Sequence, residues 1–145
     1  KAWLFSAPSG VGKSTHAELW RTFLNAPTIN GDLNLITMQD NIPVVHGTPW
    51  CGTSGIYQTA SYPLGGLIFL QRGQSDQIIT LPEDRKQLHL INRCISPNWT
   101  KHLLNRNMAI LQAICPHIFT CCLSCTPTEQ AVYCIRDAID KYLFS

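Results

Sequence analysis

The stretch SAPSGVGKST, residues 6–15, places two glycines, one lysine and four hydroxyl side chains in ten positions. The apolar run at residues 1–6 leads into it and predicts a short buried strand. Residues 13–25 follow with apolar side chains at helical spacing, such as Ala17 and Trp20, and predict an amphipathic helix. A glycine-rich turn between a buried strand and a helix is typical of α/β domains that bind phosphate groups.

The turn matches the P-loop (Walker A) pattern G-x-x-x-x-G-K-[S/T] at its last three positions but begins with Ala7 instead of glycine. Alanine fits there only if its backbone avoids the left-handed region. In such a turn, backbone amides and the helix N-terminus face a polyphosphate, Lys13 reaches the β- and γ-phosphates, and Ser14 binds Mg²⁺. The residues predicted to contact the phosphates are Ser9, Gly10, Val11, Gly12, Lys13, Ser14 and Thr15. The alternative is a turn that joins two elements and binds nothing.

Asp32, in the segment INGDL, is the carboxylate that we expect to complete a magnesium site with Ser14. It follows an apolar run, and the distance from Ser14 leaves room for one helix and a returning strand. Asp32 would hold Mg²⁺ or accept the proton of an acceptor hydroxyl. Two alternatives remain open. Asp32 is a turn residue after Gly31, or Asp40 takes its role, although QDNIP is typical of a hairpin tip.

The whole pattern predicts one α/β nucleotide-binding domain over residues 1–145, with a mixed, mostly parallel sheet flanked by helices. Further strands are predicted at 28–36, 44–47, 67–71, 76–81 and 117–124, and further helices at 83–95, 98–115 and after 126–129. The strands at 28–36 and 44–47 are expected to form a hairpin. The sequence TPTE at 126–129 predicts a capping box for a last helix that buries Ala131, Ile135, Ala138 and Tyr142. Because the chain begins inside the first strand, we expect that an amino-terminal portion is missing.

Composition argues against several classes of function. The net charge of +2, without a basic run, predicts no nucleic-acid partner. The chain contains no apolar stretch of about 18 residues, so no membrane partner is expected. Seven scattered cysteines predict reduced thiols in a cytoplasmic protein. A zinc site of Cys121, Cys122, Cys125 and His117 is the alternative, but residues three apart on a strand face opposite sides.

Four blocks, FSAPSGVGKSTHAELW, INGD, GTPWCG and PLGGLIFLQRG, occur in this order and together resemble the HPr serine kinase-like proteins. These share a nucleotide-binding fold with the ATP-dependent phosphoenolpyruvate carboxykinases. The resemblance extends from Leu4 to about Tyr142 and is greatest to a small branch, some members of which accompany peptide-modification systems. It implies ATP and Mg²⁺ as cofactors, and transfer of phosphate to a hydroxyl, such as a serine of a peptide or small protein.

The resemblance also implies roles for single residues. Asp32 matches the family's catalytic or metal-binding acid, and Arg72, in FLQRG, falls where a basic residue would contact phosphate. The implied catalytic set is Asp32, Lys13 and Arg72, with Mg²⁺ held by Ser14 and Asp32. The chain departs from the family in two places. Gly31-Asp32 stands where the bifunctional kinases carry paired acids, and no histidine-bearing segment precedes the loop.

The segment HGTPWCGTSG, residues 46–55, mixes glycines, hydroxyls, an indole and a thiol between two strands. We expect it to bind the acceptor, with Thr48 and Thr53 donating hydrogen bonds and Trp50 forming an apolar wall. The alternative is a structural loop in which Trp50 packs into the core. His16, on the first helix, is expected at the surface.

The function predicted from these features is an ATP-dependent kinase, a transferase that moves the γ-phosphate to a hydroxyl. One alternative is a nucleotide-binding regulatory domain without turnover. Another is a small-molecule or nucleotide kinase, because PSGVGKS also resembles the guanylate kinase loop, although the chain has no arginine cluster for a lid. The sequence leaves an oligomer open.

Overall fold

A computed structural model describes residues 1–144, apart from the side chain of Glu83. The strands are β1 (Ala2–Ser6), β2 (Leu35–Gln39), β3 (Ile42–His46), β4 (Ser61–Arg72), β5 (Gln77–Thr80) and β6 (Phe119–Cys125). The helices are α1 (Lys13–Leu24), α2 (Glu83–Ile91), α3 (Lys101–Ile114) and α4 (Glu129–Leu143), with short 3-10 turns at Gly52–Ser54 and Cys115–His117. Ser145, which the predicted domain range includes, lies outside the described residues.

The six strands form one mixed sheet in the order β2-β3-β4-β6-β5, and β1 also pairs with β4. The pairs β1–β4 and β4–β6 are parallel, whereas β2–β3, β3–β4 and β5–β6 are antiparallel. The prediction of a mixed sheet flanked by helices is confirmed, but the sheet is not mostly parallel. The connections β2–β3 and β4–β5 are too short for a crossover, because strands that follow one another in parallel need a connection of a dozen or more residues.

The core is centred on β4, of which seven consecutive residues are buried. Alternate side chains of a strand point to opposite faces of the sheet, and each face is covered by two helices. One face packs on α1 and α4 through Ile68, Trp20 and Ile135. The other face packs on α2 and α3 through Phe69 and Leu111. The fold therefore has three layers, with the sheet between two pairs of helices.

The predicted hairpin is formed by β2 and β3. Asp40 and Asn41 make its turn with φ values of 48° and 62°, which are the left-handed conformations that a two-residue hairpin turn favours. The strand predicted at 28–36 begins only at Leu35. Before it, Asn30 makes a single bridge to Tyr57, and the chain then turns. The segment that carries Asp32 is therefore held by isolated contacts and not by a strand ladder.

The last helix begins later than the capping-box prediction placed it. Thr128 is the N-cap residue, and Thr126 is bonded elsewhere. The N–H of Thr126 donates to Oδ1 of Asp76 at 2.9 Å, and its hydroxyl donates to the same oxygen at 3.2 Å. Asp76 therefore removes Thr126 from the cap. The buried side chains of α4 are Ala131, Val132, Ile135 and Ile139, whereas Ala138 is half-buried and Tyr142 is exposed.

The other helices agree with the sequence within a turn. Helix α1 ends at Leu24 and is capped by Asn25, which has a φ of 52° and donates its N–H to the carbonyl of Trp20. Helices α2 and α3 are a few residues shorter than the predicted 83–95 and 98–115. Across residues 1–144, no helix combines the length and apolar character needed to cross a bilayer.

We expect Ile68→Ala to lower the free energy of unfolding by about 3 kcal/mol, because truncating a fully buried side chain leaves a cavity. Ile95→Ala, at a side chain 85% exposed, is the matched control and should change it by less than about 0.5 kcal/mol. Urea unfolding followed by circular dichroism measures both. Equal effects of the two substitutions would contradict the assignment of the core.

Candidate functional site

The carboxyl ends of three strands lie at the same edge of the sheet, because β1, β4 and β6 run parallel. The loop that connects β1 to α1, residues 7–12, starts from this edge. Arg72 ends β4 there, and Cys125 ends β6. In α/β sheets, ligands bind at the carboxyl edge, next to such loops. The loop of residues 7–12, here called the β1–α1 loop, is therefore the starting point for locating a site.

The backbone of the β1–α1 loop requires its two glycines. Gly10 and Gly12 have φ values of 79° and 121°, which strain any residue with a side chain. Ala7 is not among the residues with positive φ, so alanine is tolerated where the motif has glycine. Its side chain is buried in the cluster that contains Trp20. Gly12 caps α1, so the helix N-terminus, with its partial positive charge, lies at the end of the loop.

Two cationic side chains hold the β1–α1 loop. The ammonium of Lys13 donates to the carbonyls of Ala7 at 3.0 Å and Pro8 at 3.3 Å. The guanidinium of Arg72 donates to the carbonyl of Gly10 at 2.6 Å, across 62 positions of sequence. Three loop carbonyls thus accept hydrogen bonds from cationic side chains. Arg72 lies next to the loop, as predicted, but it contacts loop backbone.

A cavity of about 550 Å³ lies beside β1, the first turns of α1 and residues 26–34. Lys13, Ser14 and Asp32 all line it. The structure thus brings together the three residues predicted to hold phosphate and Mg²⁺. The other predicted phosphate-contacting residues, which are Ser9, Gly10, Val11, Gly12 and Thr15, belong to the loop or first helical turn but are not part of the cavity wall.

Asp32 lies on a turn. The residue is exposed and lines the cavity. Its N–H donates to Oδ1 of Asn30 at 2.8 Å. Gly52 packs closely on it, since a Cβ atom there would lie 3.2 Å from the Asp32 carboxylate. The rival acid, Asp40, occupies the β2–β3 turn and is not part of the cavity wall. The geometry therefore favours Asp32 over Asp40 as the acid of this site.

The predicted acceptor residues lie close to Asp32 but outside the cavity wall. Thr48 is buried, and its hydroxyl donates to the carbonyl of Leu33 at 2.6 Å. Trp50 is 65% exposed, so the alternative in which it packs into the core is wrong. Thr53 is exposed on the 3-10 turn. Ser54, which sequence reasoning did not single out, lines the cavity instead.

His16 is buried, and the prediction of a surface position is wrong. Its ring lies 4.8 Å from that of Phe5 in an edge-on arrangement, and its Nε2 atom has no hydrogen-bond partner in the structure. Burial lowers the pKa of His16 to about 4, against a weaker opposing effect of the Asp76 charge. The imidazole is therefore neutral at neutral pH and contributes as a packing group behind the loop.

The cysteines are free thiols in the structure, as predicted. Cys121 and Cys122 are adjacent on β6 and pack into opposite faces of the sheet. Burial raises the pKa of Cys121 to about 12, so this thiol is protonated and unreactive at neutral pH. Among the described side chains, no three His, Cys, Asp or Glu residues converge on one point.

A magnesium ion bound with a nucleotide needs fewer protein ligands than an all-protein site. It usually takes one or two protein oxygens, and phosphate and water oxygens complete its octahedron. The Ser14 hydroxyl and the Asp32 carboxylate are oxygen donors on the walls of one cavity. The residues present therefore fit this cation when a polyphosphate accompanies it.

The chain matches no protein-family model, no curated protein and no solved structure.

We expect stability to fall as the pH drops from 6.5 towards 4, in part through His16. Its pKa in the folded protein, about 4, is below the ordinary value of 6.5, so the unfolded chain binds the proton more tightly. Between pH 7 and pH 5 this group should remove about 2 kcal/mol of unfolding free energy. His16→Leu, which does not titrate, should lose correspondingly less over that interval. Urea unfolding at the two pH values measures the difference, and identical losses would rule out the buried neutral imidazole.

Proposed function

We propose that this protein is an ATP-dependent phosphotransferase that transfers the γ-phosphate of ATP to a hydroxyl. The observation that carries the proposal is that Lys13, Ser14 and Asp32 line one cavity beside a helix N-terminus. These are the cation, the hydroxyl and the carboxylate that phosphoryl transfer requires near a nucleotide. The proposal includes kinship with the HPr serine kinase-like proteins and a cytoplasmic location, which the free thiols support.

The charge of the cavity supports a polyphosphate ligand. Lys1, Lys13 and Arg93 contribute positive charge to its walls. The described walls carry two carboxylates, those of Glu18 and Asp32, and Glu18 forms an ion pair with Arg21. A negatively charged ligand is favoured by this balance and by the partial charge of the α1 N-terminus.

Lys13 is able to exchange its partners for phosphate oxygens. Its ammonium now contacts the carbonyls of Ala7 and Pro8, which are neutral acceptors. Its present bonds join a charged donor to a neutral acceptor, whereas a bond to a phosphate oxygen would join two opposite charges, so the exchange is favoured. Arg72 has a different role in this proposal. Because its guanidinium bonds Gly10, it fixes the loop, and its effect on phosphate is through the loop's shape.

Asp32 would act on the acceptor. In the transfer step, the acceptor oxygen forms a bond to the γ-phosphorus, the bond from that phosphorus to the bridging oxygen breaks, and ADP leaves. The acceptor's proton passes to the Asp32 carboxylate. Bound Mg²⁺, held by Ser14 and Asp32, would supply charge neutralisation to the phosphates. The protein otherwise contributes position, because phosphoryl transfer depends chiefly on alignment and electrostatics.

The acceptor side of the cavity is partly apolar. Leu33, Ile56 and Tyr62 are exposed side chains on its wall, and Leu33 follows Asp32 in the sequence. The N–H of Gly31 donates to the carbonyl of Ile56 at 3.1 Å, which places Ile56 beside the acid. An acceptor whose hydroxyl adjoins an apolar group fits these surroundings. A serine within a peptide or small protein meets this description.

A nucleotide-binding regulatory domain without turnover is the second candidate. The observation that favours it is that Asp32 is the one carboxylate on the described walls without an ion-pair partner. Turnover needs a carboxylate in two roles, one for Mg²⁺ and one for the acceptor's proton, whereas nucleotide binding alone needs only the first. A single acid must then serve both metal and proton. Comparison of binding with turnover separates the two candidates.

We expect Lys13→Ala to weaken ATP binding by about 10- to 100-fold, because it removes charge-assisted hydrogen bonds to phosphate. Lys101→Ala, at an exposed lysine that begins α3, is the control and should bind as wild type does. Isothermal titration calorimetry with MgATP measures both affinities. An unchanged affinity of Lys13→Ala would show that ATP does not occupy this loop.

We expect Asp32→Asn to reduce the transfer or hydrolysis of γ-phosphate at least about 100-fold, because the acceptor loses its base and Mg²⁺ loses a ligand. ATP affinity without Mg²⁺ should stay within about threefold of wild type, since the loop is untouched. Asp40→Asn is the matched control. Release of ³²P-phosphate in single turnovers is the readout. Full activity of Asp32→Asn would overturn the proposed mechanism, and binding without turnover in wild type would favour the regulatory domain.

A further inference from the structure

The turn that carries Asp32 is held by hydrogen bonds from three consecutive backbone N–H groups. The backbone N–H groups of Gly31, Asp32 and Leu33 are all bonded, to the carbonyl of Ile56 at 3.1 Å, to Oδ1 of Asn30 at 2.8 Å and to the carbonyl of Trp50 at 3.1 Å, respectively. Only the middle one of these bonds is made to a side chain. The direction of the Asp32 amide therefore depends on the orientation of Asn30.

The side chain of Asn30 is itself oriented by Thr48. The Nδ2 atom of Asn30 donates to the Thr48 carbonyl at 2.5 Å and to its Oγ1 atom at 3.2 Å. The Thr48 hydroxyl in turn donates to the carbonyl of Leu33 at 2.6 Å. These hydrogen bonds link the Asp32 amide through Asn30 and Thr48 to the Leu33 carbonyl. They therefore tie down the chain before and after Asp32. We call this set of contacts the Asn30–Thr48 clamp.

The one donor of the Thr48 hydroxyl is used by the clamp. The hydroxyl has one proton, which goes to Leu33, and it accepts a bond from Asn30. The residue is only 7% exposed. Thr48 therefore has no free donor for an acceptor molecule, the role that the sequence suggested for it.

The loop after Thr48 closes on the same turn. A Cβ atom at Gly31 would collide with the Ser54 hydroxyl and lie 2.9 Å from the Cys51 carbonyl. At Gly52 it would lie 3.2 Å from the Asp32 carboxylate. The clamp thus holds the backbone of Asp32, the backbone of Gly52 lies close to its carboxylate, and Asp32 itself lines the cavity.

From this geometry we propose that Asn30 and Thr48 are positioning residues that aim the Asp32 carboxylate at the nucleotide and its metal ion. The inference rests on the proposed function, in which Asp32 acts on Mg²⁺ and the acceptor. It extends that function to two further residues, of which Asn30 lines the cavity and Thr48 lies outside its wall. A misplacement of about 1 Å at a reacting group costs up to about 100-fold in rate, so loss of the clamp should be visible in turnover.

The test compares Thr48→Val with Thr48→Ser in steady-state transfer or hydrolysis of ATP. Valine keeps the shape of threonine but lacks the hydroxyl, whereas serine keeps the hydroxyl. We expect kcat of Thr48→Val to fall about 10- to 100-fold with little change in KM for ATP. Thr48→Ser should retain kcat within about threefold. Thr59→Val, at an exposed threonine of the same loop, is the control and should behave as wild type.

A second variant and a binding measurement guard against loss of folding. Asn30→Ala removes all three hydrogen bonds that the Asn30 side chain makes in the clamp and should reproduce the kcat loss of Thr48→Val. In both variants, ATP affinity in the presence of EDTA should equal that of wild type, whereas the gain in affinity on adding Mg²⁺ should shrink. Unchanged EDTA affinity also shows that the fold and the β1–α1 loop are intact.

The outcomes separate this inference from the function on which it rests. If Asp32→Asn abolishes turnover while Thr48→Val and Asn30→Ala keep it, the clamp has no positioning role and the function stands. If Thr48→Ser loses as much as Thr48→Val, packing and not the hydroxyl is responsible, and the inference is also overturned. If Asp32→Asn itself is fully active, the proposed function fails before the clamp is considered.

Discussion

The pairing of β4 with β1 along one edge and with β6 along the other is the constraint on which the structure depends. Gly66, Leu67, Ile68 and Phe69 have partners in both neighbouring strands. A strand bonded on both edges and covered on both faces keeps its backbone groups paired while its side chains are buried, and such burial stabilises the fold. Because both pairs are parallel, the β1–α1 loop and Arg72 arrive at the same edge. The candidate site is thus a consequence of strand direction.

Much of the local structure could be predicted from the sequence, because it depends on residues that are near one another in the chain. The α1 helix follows from the spacing of Ala17 and Trp20, and the β2–β3 hairpin follows from turn formers around Asp40. The burial of His16 was missed although a signal was present. His16 lies four positions before Trp20, so the two share the face of α1 that meets the sheet.

What the sequence did not reveal depends on contacts between distant segments. Asn30 and Thr48 are 18 positions apart, and neither carries a motif that predicts their hydrogen bond. Thr126 has the spacing of a cap residue, yet Asp76, 50 positions away, takes its amide. Periodicity reports which face of an element is buried, and it does not report which polar side chain reaches across the fold. Asp32 could be named from sequence, whereas the support around it could not.

The contacts of Lys13 and Arg72 with loop carbonyls have a consequence for the thermodynamics of recognition. Without ligand, the loop is already braced by two cations of its own chain, so its curvature does not depend on a guest. In the proposed function, a polyphosphate would replace the carbonyl oxygens that Lys13 contacts, while the bond from Arg72 to Gly10 would remain and hold the main chain. Little conformational entropy is then lost on association, and a preorganised receptor of this kind is expected to bind with a small ordering penalty.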